Sequence, residues 1–273
     1  LKTYPAMVQV GSQQRSDIRF AIAQQLVSSG ALGTITQVDV GITARPGSSA
    51  AWEPQEVPPE LNYDMWLGPV VWTDYHPQRV HYDFRFVPEF SGGDITNWGA
   101  HHLDIAQWAL GMDASGPVSV RGMGERNPQG AIHTPYFDID VDFEFPNGIP
   151  LKLHSKRRGI TFYGTEGSLY VERGVLEANP HELLRQRSRE LEETMKQGGG
   201  HRENWMRCIR SRNAADLRAP VEIGHRSATL CHLTNIAIEL GRPLEWDPQR
   251  EIVKNDAHAN ALLNRPTRSQ WTV

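Results

Sequence analysis

Residues 137–154 alternate between apolar and mostly charged side chains, which is the pattern of two antiparallel strands with one buried face. The apolar positions before the loop are Phe137, Ile139, Val141, Phe143 and Phe145, and the acids between them are Asp138, Asp140, Asp142 and Glu144. Beyond Pro146-Asn147-Gly148, the apolar positions are Ile149, Leu151 and Leu153. A chain that contains this hairpin must fold around a sheet whose apolar face is covered.

The length of the loop between these strands decides which residues face each other. A two-residue Asn-Gly turn would set Phe143 opposite Lys152 and mix the two faces. A three-residue loop over residues 146–148, with Gly148 left-handed, instead pairs Phe143 with Leu151. The opposite face then pairs Asp142 with Lys152, Asp140 with His154, and Asp138 with Lys156. We therefore predict the three-residue loop, and we interpret the acidic run as a solvated sheet face and not as a metal site.

Other segments predict further strands and several helices, so the fold class is α+β with a mainly antiparallel sheet. Strands are predicted over residues 6–11 and 35–42, and a second hairpin over residues 160–171 turns at Gly164-Thr165-Glu166-Gly167. Apolar residues at helical spacing predict helices over residues 18–29, 98–110, 181–197, 201–209 and 227–240.

Composition excludes several classes of function. The chain has 273 residues, 39% hydrophobic and 22% charged, with a net charge of -4, which is ordinary for a globular protein. Its longest basic run is only Lys156-Arg157-Arg158, and a run this short does not indicate a nucleic-acid partner. No apolar stretch reaches the length of a membrane span. Cys208 and Cys231 are the only cysteines and do not suggest a disulfide framework.

The residues most suited to chemistry lie within residues 91–111. Gly92 and Gly93 begin this segment and suit a loop that passes close to a ligand or enters a helix. From Trp98 the pattern is helical. Its regularly spaced polar and aromatic residues are Asn97, His101, Asp104 and Trp108. Spacings of four, three and four residues place them on one helix face.

An imidazole near a carboxylate on one face suits general acid–base chemistry. Three interpretations of His101 stay open at this point: an acid or base, a structural histidine satisfied by Asp104, and a metal ligand. His101, His102 and Asp104 are too close in sequence to reach one ion together from a single helix, so we expect no metal site.

The run from Gly92-Gly93 through His101 to Asp104 resembles the signature in the second domain of the Gfo/Idh/MocA oxidoreductases. That signature reads roughly GG-x-x-x-D-x-G-x-H-x-x-D, and its histidine falls on His101. One position departs from it, because the family's acidic residue four positions earlier is Asn97 here. An amide can position a hydroxyl group but cannot take its proton. The resemblance covers nearly the whole chain and is strongest at residues 92–111 and 160–172.

The resemblance implies an open, mainly antiparallel sheet with helices on one face, and a homodimer or homotetramer formed through the other sheet face. Residues 1–10 would be the last strand of an absent nucleotide-binding domain, and residues 11–273 a substrate-binding and oligomerisation domain. The chain starts at Leu1 without methionine, so we expect an upstream part. The compartment is therefore open, with the cytoplasm favoured and periplasmic export also compatible.

The cofactor expected for the parent protein is NAD or NADP, with none bound by this chain alone. A dinucleotide fold needs a Gly-x-Gly-x-x-Gly turn between a strand and a helix, and the sequence has none. The family's Glu-Lys-Pro motif, which supplies a catalytic lysine, is also missing. Cofactor-binding residues are therefore not assigned, and whether the chain alone is an enzyme stays open.

The resemblance also suggests site residues and a substrate class. His101 would be the acid, base or hydroxyl-orienting group with Asn97 as its partner, and Asp94 and His102 would contact substrate. The aromatic-rich residues 43–90 look like family segments near a sugar pocket. Further substrate-binding candidates are Arg15, Trp66, Arg79 and His81, although aromatic residues of this kind also serve to pin down a long loop.

The expected function is hydride transfer between a nicotinamide and a sugar or cyclitol such as inositol. Two alternatives remain. One is an NAD-dependent glycoside-processing enzyme that oxidises its substrate transiently, which the amide at Asn97 keeps open. The other is a non-catalytic carbohydrate-binding and assembly module.

Overall fold

A computed structural model describes residues 6–271 of the chain. Within that range the strands are β1 (Ile35–Gly41), β2 (Ser119–Arg126), β3 (Tyr136–Glu144), β4 (Pro150–His154), β5 (Gly159–Gly164), β6 (Gly167–Glu172), β7 (Val175–Asn179), β8 (Leu244–Asp247) and β9 (Ile252–Val253). They form one sheet in the order β7-β6-β5-β1-β4-β3-β2-β8-β9. Among the described strands, β1 and β4 are the parallel pair and the other neighbours are antiparallel. The prediction of an α+β fold with a mainly antiparallel sheet is confirmed.

In chain order, the helices are α1 (Ile18–Ser28), α2 (Tyr63–Leu67), α3 (Gly93–Asn97), α4 (Gly99–Ala109), α5 (Arg189–Gly198), α6 (His201–Ser211), α7 (Val221–Leu240) and α8 (Ala257–Leu262). Short 3-10 turns lie at Gln13–Ser16, Pro77–Arg79, His81–Phe86, His181–Gln186, Ala214–Asp216 and Ser269–Trp271. None of the helices in the described part of the chain is long and apolar enough to cross a membrane.

The register predicted for the central hairpin is confirmed. Phe143 pairs with Leu151 across β3 and β4. Gly148 has a φ of 77° and its N–H donates to the Phe145 carbonyl, as a three-residue loop requires. The alternation therefore keeps the phenyl rings in the core, where burying one contributes about 1.5–3 kcal/mol.

The charged face of this hairpin differs in detail from the prediction. Asp142 lies opposite Lys152 as expected, but the Lys152 ammonium reaches diagonally to Asp140 at 3.1 Å. Asp142 pairs instead with Arg121 of β2, also at 3.1 Å. The predicted pair of Asp138 with Lys156 does not form part of the described ladder, because Asp138 adopts a φ of 45° that takes it out of the regular strand.

The core lies between the apolar positions of the strands and three helices. Helix α7 contacts β2, α4 contacts β1 and β5, and α1 contacts β6 and β7. Helices α4 and α7 also pack closely against each other. The fully buried residues of largest volume include Phe20, Phe143, Phe145, Phe162, Leu103 and Ile105. This packing holds α4, which carries the signature residues, rigidly against the middle of the sheet.

Two helix predictions need correction. Residues 93–97, expected to be a loop, form helix α3, and Trp98 joins it to α4 with helical angles of -72° and -35°. The single helix predicted over residues 181–197 is instead a 3-10 turn followed by α5. Arg187 and Ser188 between them are extended, and the Ser188 hydroxyl accepts from the Leu191 N–H, which starts α5 as a new helix.

The strand expected over residues 1–10 falls partly outside the described residues. Of the part inside them, Gln9 forms an isolated antiparallel bridge with Pro220, and the Val10 N–H donates to the Ala219 carbonyl. These contacts tie the start of the described chain to the segment just before α7.

Candidate active site

An open cavity of about 460 Å³ lies beside the first turn of α4. Its lining comes from three separate parts of the chain: the turn before α1 together with the start of α1, helix α4, and the turn after β6. The lining residues are Gln13, Gln14, Asp17, Phe20, His101 and Arg173. His101 is therefore the one residue of the signature that lines this cavity.

Two polar groups at this cavity lack hydrogen-bond partners within the described residues. Gln14 is only 3% exposed, yet neither its amide nitrogen nor its amide oxygen is paired. The Nδ1 atom of His101 is also buried and unpaired. Buried polar atoms in folded proteins nearly always have a partner. Two of the lining residues thus carry a donor and acceptors that the protein itself leaves unsatisfied.

The environment of His101 keeps its imidazole neutral. Burial lowers its pKa to about 4, and the nearby charges of Arg173 and His102 act in the same direction. The ring lies edge-on to Trp98, with 6.2 Å between the ring centroids. At neutral pH the ring can therefore accept a hydrogen bond, or a proton, from a hydroxyl group in the cavity.

This pKa shift predicts a loss of stability in mild acid. The unfolded chain binds a proton at His101 near pH 6.5, whereas the folded chain resists it until about pH 4, so the free energy of unfolding falls as the pH drops through that window. After allowing for the partial exposure of the ring, we expect His101 to contribute roughly 1–2 kcal/mol of this loss. Urea unfolding at several pH values measures it. The His101→Gln variant should show a flatter profile, and an unchanged profile would contradict the prediction.

Asp104 does not satisfy His101, because its carboxylate is fully engaged elsewhere. It receives two hydrogen bonds from the Arg15 guanidinium, at 2.8 and 2.9 Å, and one from the Ser227 hydroxyl at 2.6 Å. Arg15 also pairs with Asp113 at 2.7 Å and lies over the Trp108 ring. Burial alone would lower the pKa of Arg15, but the two carboxylates outweigh it and raise that pKa.

This network fixes the Arg15 side chain inside the protein, and Arg15 is not one of the residues that line the cavity. Its side chain is 3% exposed, and all its contacts are within the protein. It joins the turn before α1 to helix α4, and Asp104 in turn accepts a hydrogen bond from Ser227 of α7. The side chain therefore stabilises the frame that holds His101.

His102 and Asp94 are likewise enclosed by protein, with no exposed side-chain surface. The Nδ1 atom of His102 lies 2.8 Å from the Gly41 carbonyl oxygen. Its Nε2 lies 3.8 Å from Glu172, and burial lowers its pKa. Asp94 receives two hydrogen bonds from the Arg45 guanidinium, at 2.9 and 3.0 Å. These contacts favour a positioning role for both residues over direct contact with substrate.

The structure gives a physical account of the amide at Asn97. Its Nδ2 donates to the Asp94 carboxylate at 3.3 Å. An aspartate at position 97 would lose this hydrogen bond and bring a second carboxylate close to Asp94. The neutral amide of Asn97 therefore suits a position beside the Asp94 carboxylate.

The remaining predicted site residues belong to a separate aromatic cluster in residues 61–90. Trp66 stacks on Tyr63 at 5.8 Å and meets Phe90 edge-on at 5.0 Å. Arg79 is 8% exposed and lies over Trp52, while His81 is exposed at the start of a 3-10 turn. In the described structure no hydrogen bond, ion pair or ring contact joins Trp66, Arg79 or His81 to the cavity at His101.

Sequence reasoning missed Gln14 and Arg173. Gln14 directly precedes Arg15, which is a predicted substrate-binding residue, and only the structure shows that Gln14 lines the cavity. Arg173 follows the second hairpin and is remote in sequence from the signature. No local pattern marks either residue.

A larger cavity of about 880 Å³ lies between α7 and the C-terminal segment, but within the described residues none of its lining side chains has a buried polar atom without a hydrogen-bond partner. Asn235 donates to the Gly92 carbonyl at 3.2 Å, and Arg265 donates to the carbonyls of Glu89 and Ser91. Size alone therefore does not make it the better site. In residues 6–271 no cluster of three His, Cys, Asp or Glu residues has metal-binding geometry.

Comparison with known proteins places these observations in context. The sequence model of the Gfo/Idh/MocA group described as "Oxidoreductase family, C-terminal alpha/beta domain" matches residues 18–273. No curated protein matches the chain by sequence.

Solved structures with a similar fold are distant in sequence. An aldose-aldose oxidoreductase from Caulobacter crescentus, complexed with glycerol, is 15% identical with a TM-score of 0.55, and the match covers 89% of this chain and 65% of that one. The WlbA dehydrogenase from Bordetella pertussis, in complex with NADH and UDP-GlcNAcA, is 15% identical with a TM-score of 0.56, covering 86% and 63%. A levoglucosan dehydrogenase, in complex with NADH and L-sorbose, is 13% identical with a TM-score of 0.54, covering 89% and 67%. This chain thus spans about two thirds of their length, and at these identities the likeness establishes the fold alone.

Proposed function

Because this chain belongs to the Gfo/Idh/MocA oxidoreductase family as its C-terminal alpha/beta domain, we propose that it supplies the substrate half of an active site that oxidises or reduces a sugar or polyol. The observation that carries this proposal is the cavity in which His101 Nδ1 and the Gln14 amide both lack partners. Unpaired, buried donors and acceptors suit a ligand rich in hydroxyl groups.

Oxidation of a carbinol requires removal of the hydroxyl proton as hydride leaves the carbon. A neutral imidazole with an unpaired nitrogen can take that proton, and in the reverse direction it can return it. The Gln14 amide can donate to one hydroxyl and accept from another, which orients the sugar. The apolar ring of Phe20 in the same lining suits the C–H face of such a substrate.

The cofactor proposed for the whole protein is NAD or NADP, which would accept or supply the hydride. The levoglucosan dehydrogenase and the WlbA dehydrogenase were solved with NADH. The other ligands in the three structures are L-sorbose, UDP-GlcNAcA and glycerol, which are polyhydroxy compounds. We propose that residues 11–273 form the substrate domain and that residues 1–10 continue from a nucleotide-binding domain. The residues of the cavity would then hold the substrate, and the cofactor would supply the hydride acceptor or donor.

We also propose that the helices cover one face of the sheet and that the other face packs against a second copy. Strand positions opposite to the core are polar or exposed, for example Asp39, Thr161 and Tyr163, and Met123 is 72% exposed. A sheet face of this size and mixed character would suit a homodimer or homotetramer interface.

The experiment that tests the function uses the full-length protein with NAD or NADP and a panel of sugars and polyols. Formation of reduced nicotinamide together with an oxidised sugar is the expected result. Cleavage of a glycosidic bond without net reduction would favour transient oxidation, which the amide at Asn97 keeps open because it offers no proton-accepting acid beside His101. Binding without any turnover would leave a carbohydrate-binding module and contradict the proposal.

A further inference from the structure

The rim of the His101 cavity carries an arginine without a carboxylate partner. Arg173 lines the cavity and is exposed, and within residues 6–271 it forms no ion pair. Its backbone N–H donates to Glu172. Asp17, the one carboxylate in the lining, is occupied as the cap of α1, where it accepts from the Arg19 N–H at 2.8 Å.

Arg158 provides an internal comparison. Both guanidinium groups lie over the ring of Trp98, Arg158 at 4.8 Å and Arg173 at 4.7 Å. Arg158 also pairs with the Glu172 carboxylate at 2.8 Å. Only Arg173 combines the aromatic support with an open position at the cavity.

The Arg173 guanidinium lies against the Trp98 ring, and within residues 6–271 no ion pair occupies its N–H groups. A guanidinium with unoccupied N–H groups can form two parallel hydrogen bonds to a planar anion. The single positive charge matches the single charge of a carboxylate, and the lining offers no second cation that a phosphate dianion would favour.

We propose that the substrate is a sugar acid, whose carboxylate binds Arg173 while one of its hydroxyl groups faces His101 and Gln14. This inference rests on the proposed function and narrows its substrate class. A neutral sugar would fill the same cavity but would leave the guanidinium without a partner.

The test measures sugar binding calorimetrically in the full-length protein saturated with reduced cofactor, so that ligand binds without being oxidised. The probes are D-glucuronate, D-glucose and D-glucose 6-phosphate. Because a hydrogen-bonded charge pair is worth roughly tenfold or more in affinity, glucuronate should bind at least about tenfold more tightly than glucose. Arg173→Gln should abolish that preference, and Arg173→Lys should retain part of it.

Arg157→Gln is the matched control, because it removes the same charge from an exposed arginine nearby. Arg157 lies over Tyr170, has Glu177 as its partner at 3.7 Å, and does not line the cavity. Its replacement should leave the preference for glucuronate intact.

Three results would overturn the proposal, and they differ in what they leave standing. Equal binding of glucose and glucuronate, insensitive to Arg173→Gln, removes the sugar-acid assignment but leaves the proposed function. Tighter binding of glucose 6-phosphate than of glucuronate would mean that the anionic group of the substrate is a phosphate and not a carboxylate. Binding of none of the three, together with no turnover of any polyol, removes the proposed function as well.

Discussion

Replacing Asp104 by asparagine should destabilise the chain by roughly 1.5–3 kcal/mol, because it removes the charged acceptor of a buried ion pair while Asp113 remains as the partner of Arg15. The two side chains that pair here, Arg15 and Asp104, are 3% and 1% exposed. The substitution keeps the shape of the side chain and removes its charge. Urea unfolding monitored by circular dichroism would measure the loss as a lower midpoint with an unchanged slope.

A matched control for this prediction is Asp142→Asn. Asp142 also pairs with an arginine, at 3.1 Å from Arg121, but the two side chains are 44% and 68% exposed. Exposed pairs of this kind contribute less than about 1 kcal/mol. Equal effects of the two substitutions would show that burial of the Arg15 network does not govern its contribution.

A double variant, Arg15→Met with Asp104→Leu, separates the charge from the packing. Apolar replacement of both partners of a buried pair often restores much of the stability lost by removing one. We expect the double variant to be less destabilised than the sum of the two single variants, which a double-mutant cycle would show directly.

Replacing His101 by glutamine in the full-length, cofactor-loaded protein should lower kcat by about 10²–10⁴-fold, the usual contribution of a positioned acid or base. The amide retains hydrogen bonding but cannot take a proton at neutral pH. Because the ring lies at an open cavity and not in the core, the variant should fold normally at pH 7. Steady-state kinetics with the preferred polyol, alongside thermal unfolding, would measure both.

His225→Gln serves as the control for this measurement. His225 is exposed, pairs with Glu251 at 2.6 Å and lies outside the His101 cavity. Its replacement should leave kcat within about twofold, as expected for a surface residue away from the chemistry. Near-normal turnover of the His101 variant would rule out His101 as the acid or base.

The central hairpin of the sheet was predictable from sequence because its determinants are local. Alternating side chains on residues 137–154 and a left-handed Gly148 allow only one register that keeps the apolar face together. The diagonal contact of Lys152 with Asp140 was not predictable, because a flexible side chain chooses among neighbours that lie at similar distances.

The residues of the candidate site were harder to predict from sequence, for two reasons. Gln14 and Arg173 reach His101 only through the tertiary fold, which no local pattern encodes. Arg15 and Arg79, in contrast, were selected because arginine beside aromatic residues suits a sugar pocket. The same combination also builds a stacked or ion-paired core, and both side chains are buried in such contacts.

The insertion of β1 between β4 and β5 has a consequence for how the chain folds. Strands β4 and β5 are close in sequence, separated only by residues 155–158, yet they are not neighbours in the sheet. The early strand β1 must enter between them and pair with both. Closing such a long loop costs conformational entropy. Pairing of β1 with both β4 and β5 therefore joins the two halves of the sheet across a large separation in sequence, and the same strand carries the Gly41 carbonyl that lies 2.8 Å from His102 Nδ1.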